Sequence, residues 1–317
     1  MKEKAVASAP GKVILFGEHF VVSGYPAIVT AIKMRARATL TPSHDKFVIK
    51  SGQTWAVWSS KGEQTYPSKA TPFQPLFNMA SKIMEDFGIS SFFNAEIHSE
   101  IPGAAGLGSS AAVSVALAKA LAALYDIDMS IESVIQYSML AEKEFHGRPS
   151  GIDSHITAIG GTLLYNGPGK YQNLKLDNHP EILIVYTGIK RKTSKMVSYV
   201  QNLSAERPDE FKQLTEIYSE LYKKAVEALK SNDLILLGRL MTVNHLLLKC
   251  LGLSNMVVEN VVETLLEKGA YGAKITGAGG GGCVIAVGDD ELAKHLSDYF
   301  PSFWTTETGC KGVREEV

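Results

Sequence analysis

The stretch Pro102-Gly103-Ala104-Ala105-Gly106-Leu107-Gly108-Ser109-Ser110 places three glycines and two hydroxyls ahead of a long Ala/Leu/Val run. Glycine admits φ > 0 and lets backbone N–H groups approach a ligand closely. Ser109 or Ser110 can cap the helix that follows. A helix N-terminus reached through such a loop has free N–H groups and partial positive charge, which suits a phosphate. Three charged residues keep company with this loop: Lys12 after Ala9-Pro10-Gly11, Glu142 within an apolar pattern, and Asp153 beyond Gly147-Arg148-Pro149-Ser150-Gly151-Ile152. A phosphate cradle, oxygen ligands for magnesium, a cation against developing charge and a carboxylate for the nucleophile's proton are the parts of phosphoryl transfer. The Walker pattern G-x-x-x-x-G-K-[ST] is absent, since Ser109 follows Gly108 directly, and so are the protein-kinase H-R-D and D-F-G sets.

The elements that must hold these groups follow from hydrophobic periodicity. A short strand over 5–9 leads into Pro10-Gly11-Lys12, and Glu18-His19 separates two apolar runs. Apolar runs at 27–32 and 36–40, with strands over 48–50 and 54–59, predict a mostly antiparallel sheet. A proline-rich loop over 67–75 precedes a helix over 76–87, and a strand over 93–99 enters the glycine loop. Residues 111–125 predict an apolar helix buried on most faces. Ser130 caps a helix to about residue 145, with Gly147 as its stop. Taking the helical period from Ile131, Ile135, Ser138, Glu142 and Phe145 fall within about 40° of it. Lys143 and Glu144 fall off this stripe, and Leu140 falls opposite. A carboxylate on a core-facing stripe is costly unless paired or metal-bound. Beyond Asp153, strands are expected over 162–165 and 182–187, with a short basic cluster at Lys190-Arg191-Lys192. Helices follow over 209–229, 233–249 and 255–268. Residues 272–276 enter a second glycine run, Gly277-Ala278-Gly279-Gly280-Gly281-Gly282, flanked by a strand over 283–287. A helix over 289–299 and a strand over 303–307 close the chain.

The chain of 317 residues predicts two domains, and an apolar content of 45% with 21% charged residues allows a packed core. Lys and Arg number 32 against 33 Asp and Glu, which argues against a dedicated nucleic-acid or membrane-surface binder. Cys250, Cys283 and Cys310 are widely spaced, without a disulfide or zinc pattern. With no signal peptide or membrane-length apolar run expected, a reducing cytoplasm fits.

Three separated motifs carry a resemblance: Ser8-Ala9-Pro10-Gly11-Lys12-Val13-Ile14-Leu15-Phe16-Gly17-Glu18-His19-Phe20-Val21-Val22, the 102–112 loop, and Lys274-Ile275-Thr276-Gly277-Ala278-Gly279-Gly280-Gly281-Gly282-Cys283. With Pro149-Ser150-Gly151-Ile152-Asp153 they resemble the GHMP kinase family of galactokinase, homoserine kinase, mevalonate kinase and phosphomevalonate kinase. The order and spacing cover nearly the whole chain. Phe20-Val21-Val22 after His19 is similar to the mevalonate kinase branch in its compact archaeal form. Galactokinases carry an Asn-Leu-Ile-Gly-Glu-His-Thr-Asp-like run there, whose aspartate helps bind sugar. Phe20 stands where alanine is common, and Arg148, Ser154 and His155 depart from the animal pattern.

The resemblance implies an α+β fold of two domains with the active site in the cleft between them. Residues 1–175 would form an N-terminal domain with a left-handed βαβ unit, a breach of the usual handedness, and residues 176–317 a ferredoxin-like C-terminal domain. The implied reaction is transfer of a phosphoryl group from ATP to the C5 hydroxyl of (R)-mevalonate, with Mg²⁺. Asp153 would orient or deprotonate that hydroxyl, and Lys12 would lower its pKa and meet charge on the γ-phosphate. Ser110 and Glu142 would hold Mg²⁺, and Pro102, Gly103, Ala104, Ala105, Gly106, Leu107, Gly108, Ser109 and Ser110 would wrap the ATP phosphates. Glu18 and His19 would line the mevalonate pocket, and Thr276, Gly277 and Ala278 would close the site from the second domain. The apolar Phe20-Val21-Val22 wall suits a methyl-bearing carbon chain better than a hexose. A homodimer is a family expectation, with no nucleic-acid or membrane partner. A sister kinase acting on phosphomevalonate or a sugar, and a catalytically silent ligand-sensing relative, are the alternative readings.

Overall fold

A computed structural model describes residues 1–147, 149–190, 193–289 and 291–316. Arg148, and Arg191 and Lys192 of the basic cluster, lie outside the described residues. The chain opens with β1 (Ala5–Phe16), a single strand through Pro10 and Gly11 where a short one ending at residue 9 is expected. A register shift between Pro10 and Lys12 absorbs them, as a bulge does. The partner strand, β2 (Ala27–Ser43), likewise fuses the two apolar runs. It runs antiparallel to β1 from Ala5 opposite Leu40 to Phe16 opposite Ile28. Then come β3 (Lys46–Ser51), β4 (Thr54–Ser59) and β5 (Gln64–Tyr66). Helix α1 (Gln74–Asp86) begins inside the segment expected to be a loop. β6 (Phe92–Ser99) pairs antiparallel with β2 and parallel with β3, in an otherwise antiparallel sheet.

Helix α2 (Ser109–Tyr125) is sheathed on nearly every side, since it packs against β1 and β2 on one flank and the next helix on the other. That next helix, α3 (Ile131–His146), starts and ends as its sequence predicts. The Ser130 side chain accepts a hydrogen bond from Ser133 N, and Gly147 forms the C-terminal cap. Its buried stripe contains Ile135, Ser138 and Glu142, while Leu140 is exposed. Helix α4 (Ile152–Ile159) is legible in the sequence only as a turn with an aspartate beyond it. It leads to β7 (Thr162–Tyr165) and β8 (Tyr171–Asn173). β7 pairs with the start of β2 and β8 with β7, so long β2 serves two neighbours on one side.

The second sheet has four strands, β9 (Glu181–Tyr186), β10 (Gly272–Thr276), β11 (Cys283–Val287) and β12 (Phe303–Glu307). Their spatial order is β10-β11-β9-β12 and the pairing is antiparallel throughout, the order of a ferredoxin-like sheet. Between β9 and β10 lie α5 (Thr193–Glu206), α6 (Pro208–Lys230), α7 (Leu234–Cys250) and α8 (Met256–Glu267). The helix expected over 289–299 is a 3₁₀ helix over 292–298. Beyond β12 the chain returns to the first sheet, where β13 (Arg314–Glu316) pairs with β1. No helix among the described residues is long and apolar enough to cross a membrane.

Candidate active site

Lys12 lies just past the register shift between β1 and β2 and is almost fully buried, yet its ammonium reaches a carboxylate with partial access to solvent. Lys12 Nζ is 3.0 Å from Asp153 Oδ1, with side-chain exposures of 4% and 31%. Asp153 is held there by the first turn of α4, where its backbone carbonyl accepts from Thr157 Oγ1 at 2.8 Å. The glycine loop closes over the lysine stem. Lys12 N–H donates to Leu107 O at 2.9 Å. A Cβ on Gly108 would sit 2.8 Å from Lys12 Cγ, and Gly108 has φ +76°. Both the close approach and the left-handed backbone therefore require glycine there.

Gly108, rather than Ser109 or Ser110, is the N-terminal cap of α2, and no side chain caps it. The serine hydroxyls are engaged elsewhere. Ser109 Oγ points toward Ile101 O at 3.5 Å, and Ser110 Oγ lies 3.1 Å from His146 Nε2. The absence of a side-chain cap leaves the first N–H groups of α2 available to an anion. Leu107 and Ala105 are buried and anchor the loop, while Gly103 and Ala104 face solvent. Ala104 has φ +59°, a left-handed conformation that strains a non-glycine residue.

Glu142 rises from α3 into the same region. Its carboxyl pKa is pushed up to about 7, first by burial and then by the charge of Asp153, against the opposing pull of Ser110 and Lys12. Its Oε1 is buried with no hydrogen-bond partner among the described residues. His146, one turn further along, stands 3.7 Å from Glu142 Oε2, and burial lowers its imidazole pKa. His146 is the neighbour that the sequence pattern alone does not single out. Its i, i+4 spacing from Glu142 on one helix face is the signal that could have done so.

The third motif meets the first on the other side of β1. Thr276 Oγ1 accepts from Ile14 N at 3.2 Å and donates to Ile14 O at 3.1 Å, stitching β10 to β1. His19, at φ 62°, donates from Nε2 to Ala278 O at 2.8 Å. Glu18 pairs with Lys274 of β10, and neither side chain is exposed at all. Burial raises the Glu18 pKa and lowers that of Lys274, with each partner pulling the other back. Glu18 Oε2 is left without a hydrogen-bond partner among the described residues.

Residues 75–161 match the model of the GHMP kinases N terminal domain, and residues 225–306 match that of the GHMP kinases C terminal. Residues 1–42 match the galactokinase galactose-binding signature. The mevalonate kinase of Pyrococcus abyssi is 36% identical over 304 residues, covering 90% of this chain and 89% of that protein. The chain belongs to the GHMP kinase family. Among solved structures, L. major mevalonate kinase in complex with R-mevalonate superposes with a TM-score of 0.83 at 27% identity, covering 98% of this chain and 97% of that one. Methanococcus jannaschii mevalonate kinase gives 0.82 at 29% identity, covering 95% and 97%.

In this GHMP kinase, residues far apart in sequence converge. Lys12, Asp153, Ser110, Glu142 and the 106–110 backbone share one region. Thr276 and Ala278 reach the first sheet through Ile14 and His19. The structure departs from expectation at Phe20, whose ring is fully buried and stacked on Tyr218 at 4.2 Å between centroids. Phe20 is therefore part of the core, and Tyr218 of α6 stands behind it. Lys274, read in the sequence only as a motif letter, is the partner of Glu18.

Proposed function

We infer that this chain phosphorylates mevalonate, transferring the γ-phosphoryl group of ATP to the C5 hydroxyl to give 5-phosphomevalonate and ADP. The observation that carries the reading is the Lys12–Asp153 pair at 3.0 Å, with the aspartate partly open to solvent and the glycine loop packed on the lysine stem. In-line transfer needs an alcohol facing the terminal phosphorus, a group to take its proton and a cation for the developing charge. Asp153 orients the hydroxyl and accepts its proton as the new P–O bond forms and the bond to ADP breaks. Lys12 lowers the hydroxyl's pKa and meets the charge on the transferring oxygens. Residues 102–110 and the uncapped start of α2 receive the phosphates. His19 borders the mevalonate side, with Thr276, Gly277 and Ala278 closing it from the second half of the molecule, while Glu18 is sealed behind it against Lys274. This reading divides the chain near residue 175, except that the last strand, 314–316, returns from the second half to the first sheet.

A magnesium ion fits the residues present. Glu142 Oε1 is buried without a hydrogen-bond partner among the described residues, the Ser110 hydroxyl stands nearby at the start of α2, and both are the oxygen donors this ion prefers. Held by Glu142 and Ser110, it would offset the negative charge of the phosphates. A homodimer acting in the cytoplasm completes the proposal.

The test is a substrate panel with Mg-ATP, following ADP release. Mevalonate should be consumed and 5-phosphomevalonate formed. Turnover with phosphomevalonate or galactose, and none with mevalonate, would reassign the substrate. No ADP release with any of them would leave a ligand-sensing relative.

A further inference from the structure

His155 takes no part in the transfer described above, yet it is buried two residues beyond Asp153. Its ring bridges two elements. Nδ1 lies 2.7 Å from the carbonyl oxygen of Gly151, and the N–H of Gly169 points at Nε2 from 3.3 Å. A carbonyl oxygen only accepts and an amide N–H only donates. Both contacts hold at once only for the neutral ring protonated on Nδ1. Tyr165 and Tyr171 hold the ring in edge contacts, with centroids 5.4 and 5.5 Å away.

The Gly151 carbonyl sits at the bend that aims Asp153. Gly151 caps α4 in the left-handed conformation, and a Cβ there would come within 3.0 Å of the Tyr165 hydroxyl. That hydroxyl donates to Ser150 O at 2.8 Å. Two consecutive carbonyls before the catalytic helix turn are thus each gripped by a side chain, one from β7 and one from α4 itself. The far nitrogen of His155 then ties the bend to the turn between β7 and β8, where Lys170 N–H closes on Gly167 O.

We propose that His155 is a positioning residue for Asp153: its Nδ1–H tautomer fixes the Gly151 bend against the β7–β8 turn, and so sets where the carboxylate meets the substrate hydroxyl. The proposal rests on the kinase reading above and adds a residue to it. Alignment of this kind is steep, because a shift of about 1 Å can lower a rate on the order of a hundredfold.

Two variants test it. His155→Phe keeps a ring between the tyrosines and removes both hydrogen bonds, while His155→Asn keeps a donor close to the Nδ1 position. The expected result is a fall in kcat of about ten- to a hundredfold for His155→Phe, with KM for ATP within about twofold, and recovery of most of that loss in His155→Asn. A kcat for His155→Phe within about twofold of the parent overturns the proposal, whatever happens to the melting temperature. Equal losses in kcat and ATP affinity, or an asparagine variant no faster than the phenylalanine one, overturn it too. Should His155→Phe fail to fold, ring ¹⁵N shifts of the native protein decide the matter. A proton on Nδ1 supports the proposal, and a proton on Nε2 defeats it. A parent enzyme inactive on mevalonate would sink the kinase reading instead, and the tautomer measurement would be unaffected.

Discussion

Two lysine–carboxylate pairs flank β1, and they differ in almost everything but chemistry. Lys12 and Asp153 both belong to the half built on the nine-stranded sheet, and the aspartate keeps 31% of its side chain exposed. Lys274 and Glu18 join the four-stranded sheet to the end of β1, and both are fully sealed. A charge with one face open can exchange partners, taking a hydroxyl or a phosphoryl oxygen as the reaction requires. A sealed pair has surrendered hydration, and that loss is recovered only by its own geometry and remaining hydrogen bonds. The first pair is therefore suited to chemistry and the second to holding the two halves in register, with Glu18 Oε2 left without a partner among the described residues.

The sharpest way to break this contrast is at the open pair. Asp153→Asn preserves shape and removes the proposed proton acceptor, so kcat should fall by about a thousandfold or more. ATP binding, measured by calorimetry, should stay within about threefold, and the melting temperature should barely move. A variant with near-parent kcat would take Asp153 out of the mechanism. The sealed pair should answer in the opposite currency. Lys274→Met strands a buried carboxylate, and the denaturation midpoint should report a loss of about 3–5 kcal/mol. Adding Glu18→Leu should return most of that stability. If Lys274→Met alone were as stable as the parent, Glu18 would have to be neutral or hydrated, and the contrast would vanish.

The two pairs were unequally legible in the sequence. Lys12 and Asp153 stand in short glycine- and proline-marked motifs whose chemistry can be read letter by letter, and the helical period places Glu142 on the buried face of α3, where it lies. The Glu18–Lys274 pair spans 256 positions, and no local pattern couples a residue after β1 to one in β10. Nor does local pattern reveal that β1 runs straight through Pro10 and Gly11, because the bulge that permits it depends on the partner strand. Gly108 overrides the serines as the cap of α2 for a tertiary reason as well: the loop must pack on the Lys12 stem, and only a left-handed glycine fits. Helix α4 was hidden for the opposite reason, being only eight residues long and preceded by a turn rich in Pro, Ser and Gly.

Glu142 stands between the two types and can be used to place the boundary. It is buried like Glu18, but among the described residues no lysine is bonded to it, and its pKa of about 7 comes from burial first and Asp153 second. Because the folded value lies above the unfolded one, the folded state holds the proton more tightly. This group's contribution to stability is therefore fully present below about pH 4.5 and is lost as pH rises through about 7. In EDTA, the parent should lose on the order of 2 kcal/mol between pH 5 and 8 relative to Glu142→Gln, read from paired denaturation midpoints. Mg-ATP at pH 8 should restore the parent more than the variant, since only the carboxylate can ligate the ion as an anion. Parallel pH curves for the two proteins would mean that Glu142 reaches solvent or a cation even without metal. The open region around Asp153 would then extend into α3, and the contrast between a wet pair and a dry one would have to be drawn further from β1.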